Sequence, residues 1–247
     1  MLELVRGDSR PELVAGELEA FAIPVIVCLW TRPDRFQDVL DNLSKQQSAR
    51  LRLIVWNNRP ENSPRYLAEL AKHGATGALA SVEFFTSPDN IGGIARFVAA
   101  HQLVRDGYRG PFITFDDDQD VSPSLITDLM AEHREDTVAG QWAWVYDDNY
   151  WDRVQARPGE QATYVGTPGA VFHTDAVADD RFFTELPARY GFLEDIWSSY
   201  WIASAGGRLR KVETPSAFVE EELNQFHALV DLKVEFARYL KDRPRQG

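Results

Sequence analysis

Apolar runs and amphipathic segments alternate along the first half of the chain. Short apolar runs bounded by polar residues are typical of buried strands, and apolar residues at helical spacing indicate helices. The pattern predicts strands at 23–30, 51–56, 82–86 and 112–115, and helices at 33–45, 64–73 and about 93–105. Strands that alternate with helices indicate a mostly parallel sheet covered on both faces. We therefore expect an α/β fold.

The second half of the chain is less regular. It predicts strands at 141–146 and 164–172, separated by a loop rich in Asp, Arg and Gly. Apolar residues recur with helical spacing over 192–201 and again over 223–237, which indicates two further helices. We expect one compact domain over residues 1–247.

Polar residues follow each predicted strand of the first half. In a mostly parallel sheet, ligands bind beyond the carboxyl ends of the strands, where the connecting loops converge. Four loops are therefore expected to build one site: Thr31 and Arg32 after the first strand, Asn57 and Asn58 after the second, residues 87–90 after the third, and Asp116, Asp117 and Asp118 after the fourth.

The run of three aspartates, Asp116 to Asp118, has the most specific chemistry. Adjacent carboxylates at the end of a buried strand repel each other, so the site calls for a compensating cation. Carboxylate oxygens suit Mg²⁺ or Mn²⁺, and such ions often complete their coordination with water and phosphate oxygens. The alternative is local structure, because a serine and a proline just downstream are typical of a helix start. The segment favours a divalent metal site used in phosphate chemistry.

A glycine-containing segment from Asn90 to Arg96 lies between a predicted strand and a predicted helix. Glycines permit close backbone approach, and the N–H groups of a helix start attract anions. The glycine spacing excludes a dinucleotide-binding fingerprint. Arg96 is placed to reach a phosphate or a metal-bound aspartate; alternatively, it is a surface arginine at an ordinary helix start.

Composition narrows the class of protein further. The chain has a formal charge of −12, which argues against a general nucleic-acid-binding surface, because phosphate backbones are held mainly by lysine and arginine. Its one cysteine, Cys28, excludes an intrachain disulfide and is expected to be a small core residue. The longest apolar stretch is too short to span a bilayer, and the first residues lack the order of a secretory signal. We expect a cytoplasmic protein.

The order of these motifs resembles the nucleotide-sugar-dependent glycosyltransferases of the GT-A fold, particularly family 2. The likeness covers roughly residues 22–230 and rests on Thr31, Asn57-Asn58, Asn90-x-Gly-Gly-x-x-Arg96 and Asp116-Asp117-Asp118. Two downstream segments extend it: 166–172 looks like an acceptor-side loop, and 191–197 looks like an acidic motif at a helix start. The resemblance implies a nucleotide-sugar-binding half at about 22–120 and an acceptor-side half at about 121–240.

The resemblance also implies roles for the donor-side residues. Asp116 matches a position near the ribose and the metal, and Asp118 matches the direct ligand of a Mn²⁺ or Mg²⁺ ion. The residues implied to line the nucleotide pocket are Thr31, Arg32, Asn57, Asn58, Asn90, Gly93, Arg96, Asp116 and Asp117. The family usually has aspartate where this chain has Asn57, but an amide oxygen can accept the same hydrogen bond from a uracil N–H. A UDP-sugar is the expected donor.

On the acceptor side, the resemblance matches Asp195, beside Glu194, to the general base of inverting members. The role requires an ionised carboxylate within reach of the acceptor hydroxyl. Carboxylates in a first helical turn also stabilise the helix dipole, which is the alternative interpretation. Gly166, Thr167 and Gly169 are implied to form the acceptor-side loop. Tyr150 and Trp151 are candidate sugar contacts, whereas Trp142, Trp144 and Tyr146 are expected to be core.

Two histidines are candidates for a third metal ligand. The resemblance suggests His227, which lies 32 residues beyond Asp195, with His173 as the weaker candidate. A lone histidine on an amphipathic helix is as readily structural.

Two other functions remain open at this stage. A nucleotidyltransferase shares the sheet architecture and the need for a metal, but usually carries a glycine-rich basic loop where this chain has Thr31-Arg32-Pro33. A non-catalytic nucleotide-sugar-binding protein is the third reading. The leading expectation is a metal-dependent glycosyltransferase that acts on an acceptor hydroxyl with inversion.

Overall fold

The computed structural model describes residue 5 and residues 10–147, 149–219 and 229–243. The strands of this part of the chain are β1 (Glu12–Gly16), β2 (Ile23–Leu29), β3 (Leu51–Asn57), β4 (Leu79–Thr86), β5 (Pro111–Phe115), β6 (Gln119–Val121), β7 (Thr137–Gly140), β8 (Ala143–Val145), β9 (Val154–Gln155), β10 (Tyr164–Val165), β11 (Ala170–His173), β12 (Arg208–Lys211) and β13 (Ser216–Phe218). The α-helices are α1 (Phe36–Ser44), α2 (Ser63–His73), α3 (Ala95–Arg105), α4 (Leu125–Glu132), α5 (Arg181–Thr184), α6 (Glu194–Ser204) and α7 (Val230–Lys241).

An eight-stranded mixed sheet lies at the centre of the fold, in the order β1-β4-β3-β2-β5-β11-β7-β12. The strands β4, β3, β2 and β5 are parallel to one another, whereas β1 and β11 pair antiparallel to their neighbours. The register aligns Leu29 with Asn57 and Asn57 with Thr86, and aligns Val27 with Phe115. The carboxyl ends of these four strands therefore form one edge of the sheet. The expected α/β architecture is confirmed.

Helices cover both faces of the sheet because its strands are apolar on both sides. In β2, Val25, Val27 and Leu29 pack into one core cluster, while Ile26 packs into the other. Helix α1 presents Phe36, Val39, Leu40 and Leu43 to the first cluster at the spacing of one helical face. Helix α3 is buried on all sides from Ala95 to Val104, so its sequence is not amphipathic.

One predicted helix begins later than the sequence indicated, and another ends where it was expected. The helix expected from residue 33 starts with a 3-10 turn at Pro33–Arg35 and becomes α-helical at Phe36. Helix α2 ends at His73, and Gly74 follows it with a φ of 66° that glycine adopts at little cost. The prediction missed β1, whose residues are mostly exposed and which is held by its pairing with β4.

The structure divides one of the two strands predicted in the second half and shortens the other. The run 164–172 is divided into β10 and β11, whereas only β8 falls within the run 141–146. One break separates β7, which ends at Gly140, from β8, and a second break separates β10 from β11. Both breaks occur where the chain leaves the central sheet for a second sheet of three strands, β10-β8-β9. Ala170 pairs with Gly140 in the central sheet, whereas Val165 pairs with Ala143 in the small one. At the second crossing Gly166, Thr167, Pro168 and Gly169 interrupt the apolar pattern, a turn signal that the predicted strand 164–172 did not take into account.

The expected terminal helix at 223–237 corresponds to α7, which begins at Val230, and residues 220–228 lie outside the described part of the chain. No helix among the described residues is both long and apolar enough to cross a membrane.

Candidate functional site

A cavity of about 420 Å³ opens at the carboxyl edge of the four parallel strands. Its walls combine residues from loops after these strands with residues from the second half of the chain. From the first half the cavity is lined by Cys28, Trp30, Thr31, Arg32, Asn58, Asn90, Gly92, Gly93, Arg96, Asp116, Asp117 and Asp118. From the second half it is lined by Trp142, Tyr150, Trp151, Arg153, Tyr164, Thr167, Pro168, Phe192, Glu194, Asp195, Phe218 and Lys233.

Two arginines pair with the three aspartates that follow β5. Arg32 Nη1 lies 2.5 Å from Asp117 Oδ1, and Arg32 Nη2 lies 3.2 Å from Asp118 Oδ2. Arg96 Nη1 lies 2.8 Å from Asp116 Oδ1. The positive charge expected beside the aspartates is thus supplied by two guanidinium groups, one from the loop after β2 and one from the first turn of α3.

These arginines offset the buried negative charge in part. Burial raises the pKa of Asp117 to about 7, although Arg32 acts to lower it. Burial also raises the pKa of Asp116, against the opposing effect of Arg96. A cluster whose carboxyl pKa values stay high despite two guanidinium groups would be stabilised by a further cation.

The donor chemistry of Asp116 and Asp118 fits a hard divalent ion, since both carboxylates line the cavity and such ions prefer oxygen ligands. Asp116 Oδ1 is hidden from solvent and, despite the nearby Arg96, has no aligned hydrogen bond. The described residues contain no group of three or more His, Cys, Asp or Glu side chains arranged to hold a metal. Among the described residues, an ion here would find no further side-chain ligand of these types, and water or phosphate oxygens could complete its coordination.

The segment from Asn90 to Arg96 forms a tight turn against the start of α3. Gly92 has a φ of 70°, and its N–H donates to Asn90 Oδ1 at 2.8 Å. Asn58 holds this turn from the neighbouring loop: its Nδ2 donates to Gly92 O at 3.2 Å, and its Oδ1 accepts from Ile91 N at 3.3 Å. Asn58 thus couples two of the strand-end loops.

Arg96 lines the cavity and is 5% exposed. Burial by itself would lower the pKa of Arg96, but the nearby Asp116 carboxylate holds this pKa above its ordinary range. The Arg96 side chain is therefore charged. Cys28 lies beside it, and burial raises the pKa of that thiol to about 12. Cys28 lines the cavity and is partly exposed, which corrects its expected place in the core.

The two acidic residues at the start of α6 contact different halves of the chain: Asp195 contacts the second half and Glu194 contacts the first. Asp195 Oδ2 accepts a hydrogen bond from the Tyr164 hydroxyl at 2.5 Å, and its Oδ1 accepts from Ile196 N at 2.7 Å. Glu194 turns the other way, towards Gly93, where a Cβ would overlap its carboxylate. Burial raises the pKa of Glu194 to about 8, and the opposing effect of the Arg96 charge is too small to cancel this rise.

Aromatic residues form the second-half side of the cavity, and the sequence predicted part of this wall: Tyr150 and Trp151, the candidate sugar contacts, both line the cavity. Trp142 was expected to be core, but it lines the cavity, with its ring centroid 5.0 Å from that of Phe218. The cause is the break between β7 and β8, which turns Trp142 out of the strand. Tyr164, Arg153 and Lys233 gave no motif, because they reach the cavity from three separate segments.

Several predicted residues do not line the cavity. Asn57 is fully buried in the turn after β3, where it accepts from Arg59 N and donates to Ser63 Oγ. Gly166 and Gly169 lie behind the loop that presents Thr167 and Pro168; a Cβ at Gly166 would meet Trp142, and one at Gly169 would meet Gln141.

The two candidate histidines have different outcomes. His173 pairs with Pro111, at the opposite end of β5 from Asp116, so it cannot share a metal with the aspartates. His227 lies outside the described residues.

No protein-family model matches the chain, and no curated protein sequence matches it significantly. Solved structures resemble it in fold. A mannosyltransferase from Pyrobaculum calidifontis in complex with GDP-Man and Mn²⁺ superposes with a TM-score of 0.60 at 14% identity, over 99% of this chain and 71% of that one. For S. aureus TarS the TM-score is 0.55 at 14% identity, over 80% of this chain and 36% of that one. For GalNAc-T7 with UDP, GalNAc and Mn²⁺ it is 0.56 at 14% identity, over 82% and 45%.

These three proteins are glycosyltransferases of the GT-A fold, and the chain shares that fold. It spans about a third of the length of the TarS chain and under half of the GalNAc-T7 chain. At such low identity the likeness establishes the architecture. Which reaction the cavity performs must be argued from its residues.

Proposed function

We propose that this chain is a glycosyltransferase that moves a sugar from a nucleoside diphosphate donor to an acceptor hydroxyl. The observation that carries the proposal is that Asp195 shares one cavity with the aspartate cluster 116–118 and with Arg96. A carboxylate suited to activate a hydroxyl therefore lies near cations and carboxylates suited to hold a diphosphate.

The donor half of the reaction falls to residues at the strand ends. The N–H groups at the start of α3 and the Arg96 guanidinium favour phosphate oxygens, and Thr31, Arg32, Asn58 and Asn90 line the adjoining wall. Asp116 and Asp118 would hold a divalent ion, Mn²⁺ or Mg²⁺. When bound, such an ion offsets the charge that builds on a departing diphosphate.

Asp195 is proposed as the general base that takes the proton from the acceptor hydroxyl. The Tyr164 hydroxyl and the Ile196 N–H each donate to one of its two oxygens and so fix the orientation of the carboxylate. Attack on the face of the sugar opposite the leaving diphosphate inverts the anomeric centre. Glu194 is proposed to position the site through Gly93 and Arg96, since its carboxylate lies against the donor turn.

The first test separates the base from the donor site. Asp195→Asn keeps the shape of the side chain but cannot take a proton, so we expect turnover to fall by roughly 10²- to 10⁴-fold. Donor affinity, measured by calorimetry with UDP and Mn²⁺, should stay close to wild type. The control is Asp175→Asn, an exposed residue beside His173 at the far end of the sheet. Turnover by Asp195→Asn equal to that of the control would contradict the assignment.

The second test identifies the donor and the metal. UDP-sugars and GDP-sugars are screened by thermal shift with and without Mn²⁺, since a ligand that binds the native state raises the melting temperature. UDP-sugars are the first choice, and structures of similar proteins contain UDP in one case and GDP-Man with Mn²⁺ in another. Asp118→Ala should abolish the Mn²⁺-dependent part of the shift. A full shift in that variant would remove Asp118 from the metal site.

Product analysis distinguishes the competing enzyme class. Release of a nucleoside diphosphate supports glycosyl transfer, whereas release of pyrophosphate supports a nucleotidyltransferase. The loop after β2 favours the first, because Arg32 is tied to Asp117 and Asp118 and the loop has no glycine-rich turn.

A further inference from the structure

Two cations line the second-half wall of the cavity, in a protein whose formal charge is −12. Arg153 comes from the segment before β9, and Lys233 comes from the first turns of α7. Among the described residues, no carboxylate lies within ion-pair distance of either side chain; Asp152, the neighbour of Arg153, accepts a hydrogen bond from Asn149 instead. The donor-side cations differ, because Arg32 and Arg96 are both paired with aspartates.

Arg153 is held by aromatic rings. Its Cζ lies 4.6 Å from the ring centroid of Tyr150, 4.7 Å from Trp144, 5.2 Å from Trp151 and 5.9 Å from Trp142. Its Nη1 is hidden from solvent and has no hydrogen-bond partner among the described residues. The Tyr150 hydroxyl lies within hydrogen-bonding reach of the guanidinium, but the aromatic faces accept no hydrogen bond from Nη1, which remains able to bind an anion.

Lys233 approaches the same rings from α7. Its Nζ lies 5.4 Å from the centroid of Tyr150 and 5.6 Å from that of Trp151. Tyr150 is therefore in contact with two cations from different segments. Neighbouring cations repel each other, and an anion bound between them would remove that cost.

This cluster adjoins the proposed base. The rings of Tyr150 and Tyr164 are 5.6 Å apart, and the Tyr164 hydroxyl donates to Asp195. A group bound by Arg153 and Lys233 would thus belong to a molecule whose hydroxyl can reach Asp195. The rings of Trp151 and Tyr150 add apolar faces on which a sugar ring can pack.

We infer that Arg153 and Lys233 form a subsite for an anionic acceptor, a sugar or polyol that carries a phosphate or carboxylate group. This inference rests on the proposed function, because it assigns the cluster to the acceptor of that reaction. The same cations would also suit the diphosphate of the donor, so the test must separate the two sources.

The test compares matched neutral and anionic sugars. Glucose is paired with glucose 6-phosphate, and galactose with galacturonate, and each is titrated by NMR into the full chain saturated with UDP and Mn²⁺. Two charge-assisted contacts should make the anionic member of a pair bind roughly tenfold tighter or more. The Arg153→Gln, Lys233→Gln double variant should lose this preference, whereas its UDP affinity should remain within about twofold of wild type.

The matched control replaces exposed arginines from the same two segments, Arg157→Gln and Arg238→Gln, and should keep the preference. Equal affinity within each pair, no binding by any of the four sugars, or a preference that survives in the double variant would overturn the inference. A parallel fall in UDP affinity would assign the two cations to the donor and overturn it as well.

Failure of the proposed function gives a different result. If the chain binds UDP and transfers sugar but does not distinguish the neutral from the anionic sugar of each pair, the result contradicts this inference and leaves the proposed function intact. A chain that prefers the anionic sugars in the absence of UDP, and never binds a nucleotide, contradicts the proposed function, and the cluster then stands as an anion-binding site without the acceptor role.

Discussion

The first half of the molecule, residues 22–120, and the second half, residues 121–240, build one cavity by different means. In the first half the lining residues follow the ends of parallel strands, which the register brings to a common edge. In the second half they come from a loop, a sheet crossing and two helices. The backbone topology of the sheet positions the lining residues of the first half. Many lining residues of the second half are positioned instead by their contacts with the first half.

The two halves meet where the turn at Gly92 and Gly93 packs against Phe192 and Glu194. Arg96 lies beneath this contact, paired with Asp116 and held within electrostatic range of Glu194. If the second half is positioned by the first, changes at this junction should have larger effects than equal changes within either half.

The largest effect is expected for Arg96→Ala. The substitution leaves Asp116 and Glu194 buried without their nearest cation, and removing one partner of a buried ion pair costs about 3 kcal/mol or more in unfolding free energy. Urea denaturation measures the loss, and calorimetry with UDP should show weaker binding.

The control for Arg96 is Arg65→Ala, which breaks ion pairs to Asp34 and Glu69 on the exposed face of α2. Exposed pairs contribute little, so this variant should unfold at nearly the wild-type urea concentration. If Arg96→Ala were no less stable than the control, the junction would not depend on its central cation.

A smaller loss is expected for Gly92→Ala. An alanine there would adopt a strained positive φ of 70°, and its Cβ would overlap the Phe192 ring from the other half. The two costs together should lower the unfolding free energy by about 2 kcal/mol. Donor affinity should fall with it, because the turn also positions the start of α3.

Gly107→Ala separates the two costs of the Gly92 substitution. Gly107 has a φ of 91°, but a Cβ there meets no atom within 4 Å. This variant should therefore show the backbone strain alone, about 1 kcal/mol. Equal losses at the two glycines would mean that the contact between the halves adds nothing.

The contrast between the halves also explains what the sequence could predict. Strand ends of a parallel sheet converge by necessity, so Thr31, Asn58, Asn90 and the three aspartates could be grouped from their order alone. Asn57 was predicted to line the nucleotide pocket but does not line the cavity. Adjacent residues at the end of a strand point in different directions, and the sequence does not show which of them faces the cavity.

The second half was harder because its contacts are distant in sequence. Tyr164 and Asp195 are 31 positions apart and meet through one hydrogen bond, and Lys233 reaches Tyr150 from another helix. Neither pair has a spacing that a local pattern could reveal. Arg32 was found as a pocket residue, but its pairing with Asp117 and Asp118 depends on three-dimensional approach across 85 and 86 positions of sequence.

The most specific test of the junction is the pH dependence of Glu194→Gln. Burial raises the pKa of Glu194 to about 8 in the folded state, against an ordinary value of 4.5. Between these values the folded chain keeps a proton that the unfolded chain has lost. The stability contributed by this proton is fully present below about pH 4.5 and is lost as the pH rises through 8. Glutamine cannot ionise, so the variant should lose stability less steeply between pH 5 and 8, by on the order of 2 kcal/mol.

Part of the slope should remain in Glu194→Gln, because burial also raises the pKa of Asp117, to about 7, in the same direction. The exposed Glu132→Gln variant, at the end of α4, should keep the full wild-type slope. Urea midpoints collected at half-unit pH steps distinguish the three proteins. Identical slopes for Glu194→Gln and Glu132→Gln would mean that Glu194 is already ionised and compensated by Arg96. The junction between the halves would then be a stable ion pair rather than a site of unrelieved charge burial.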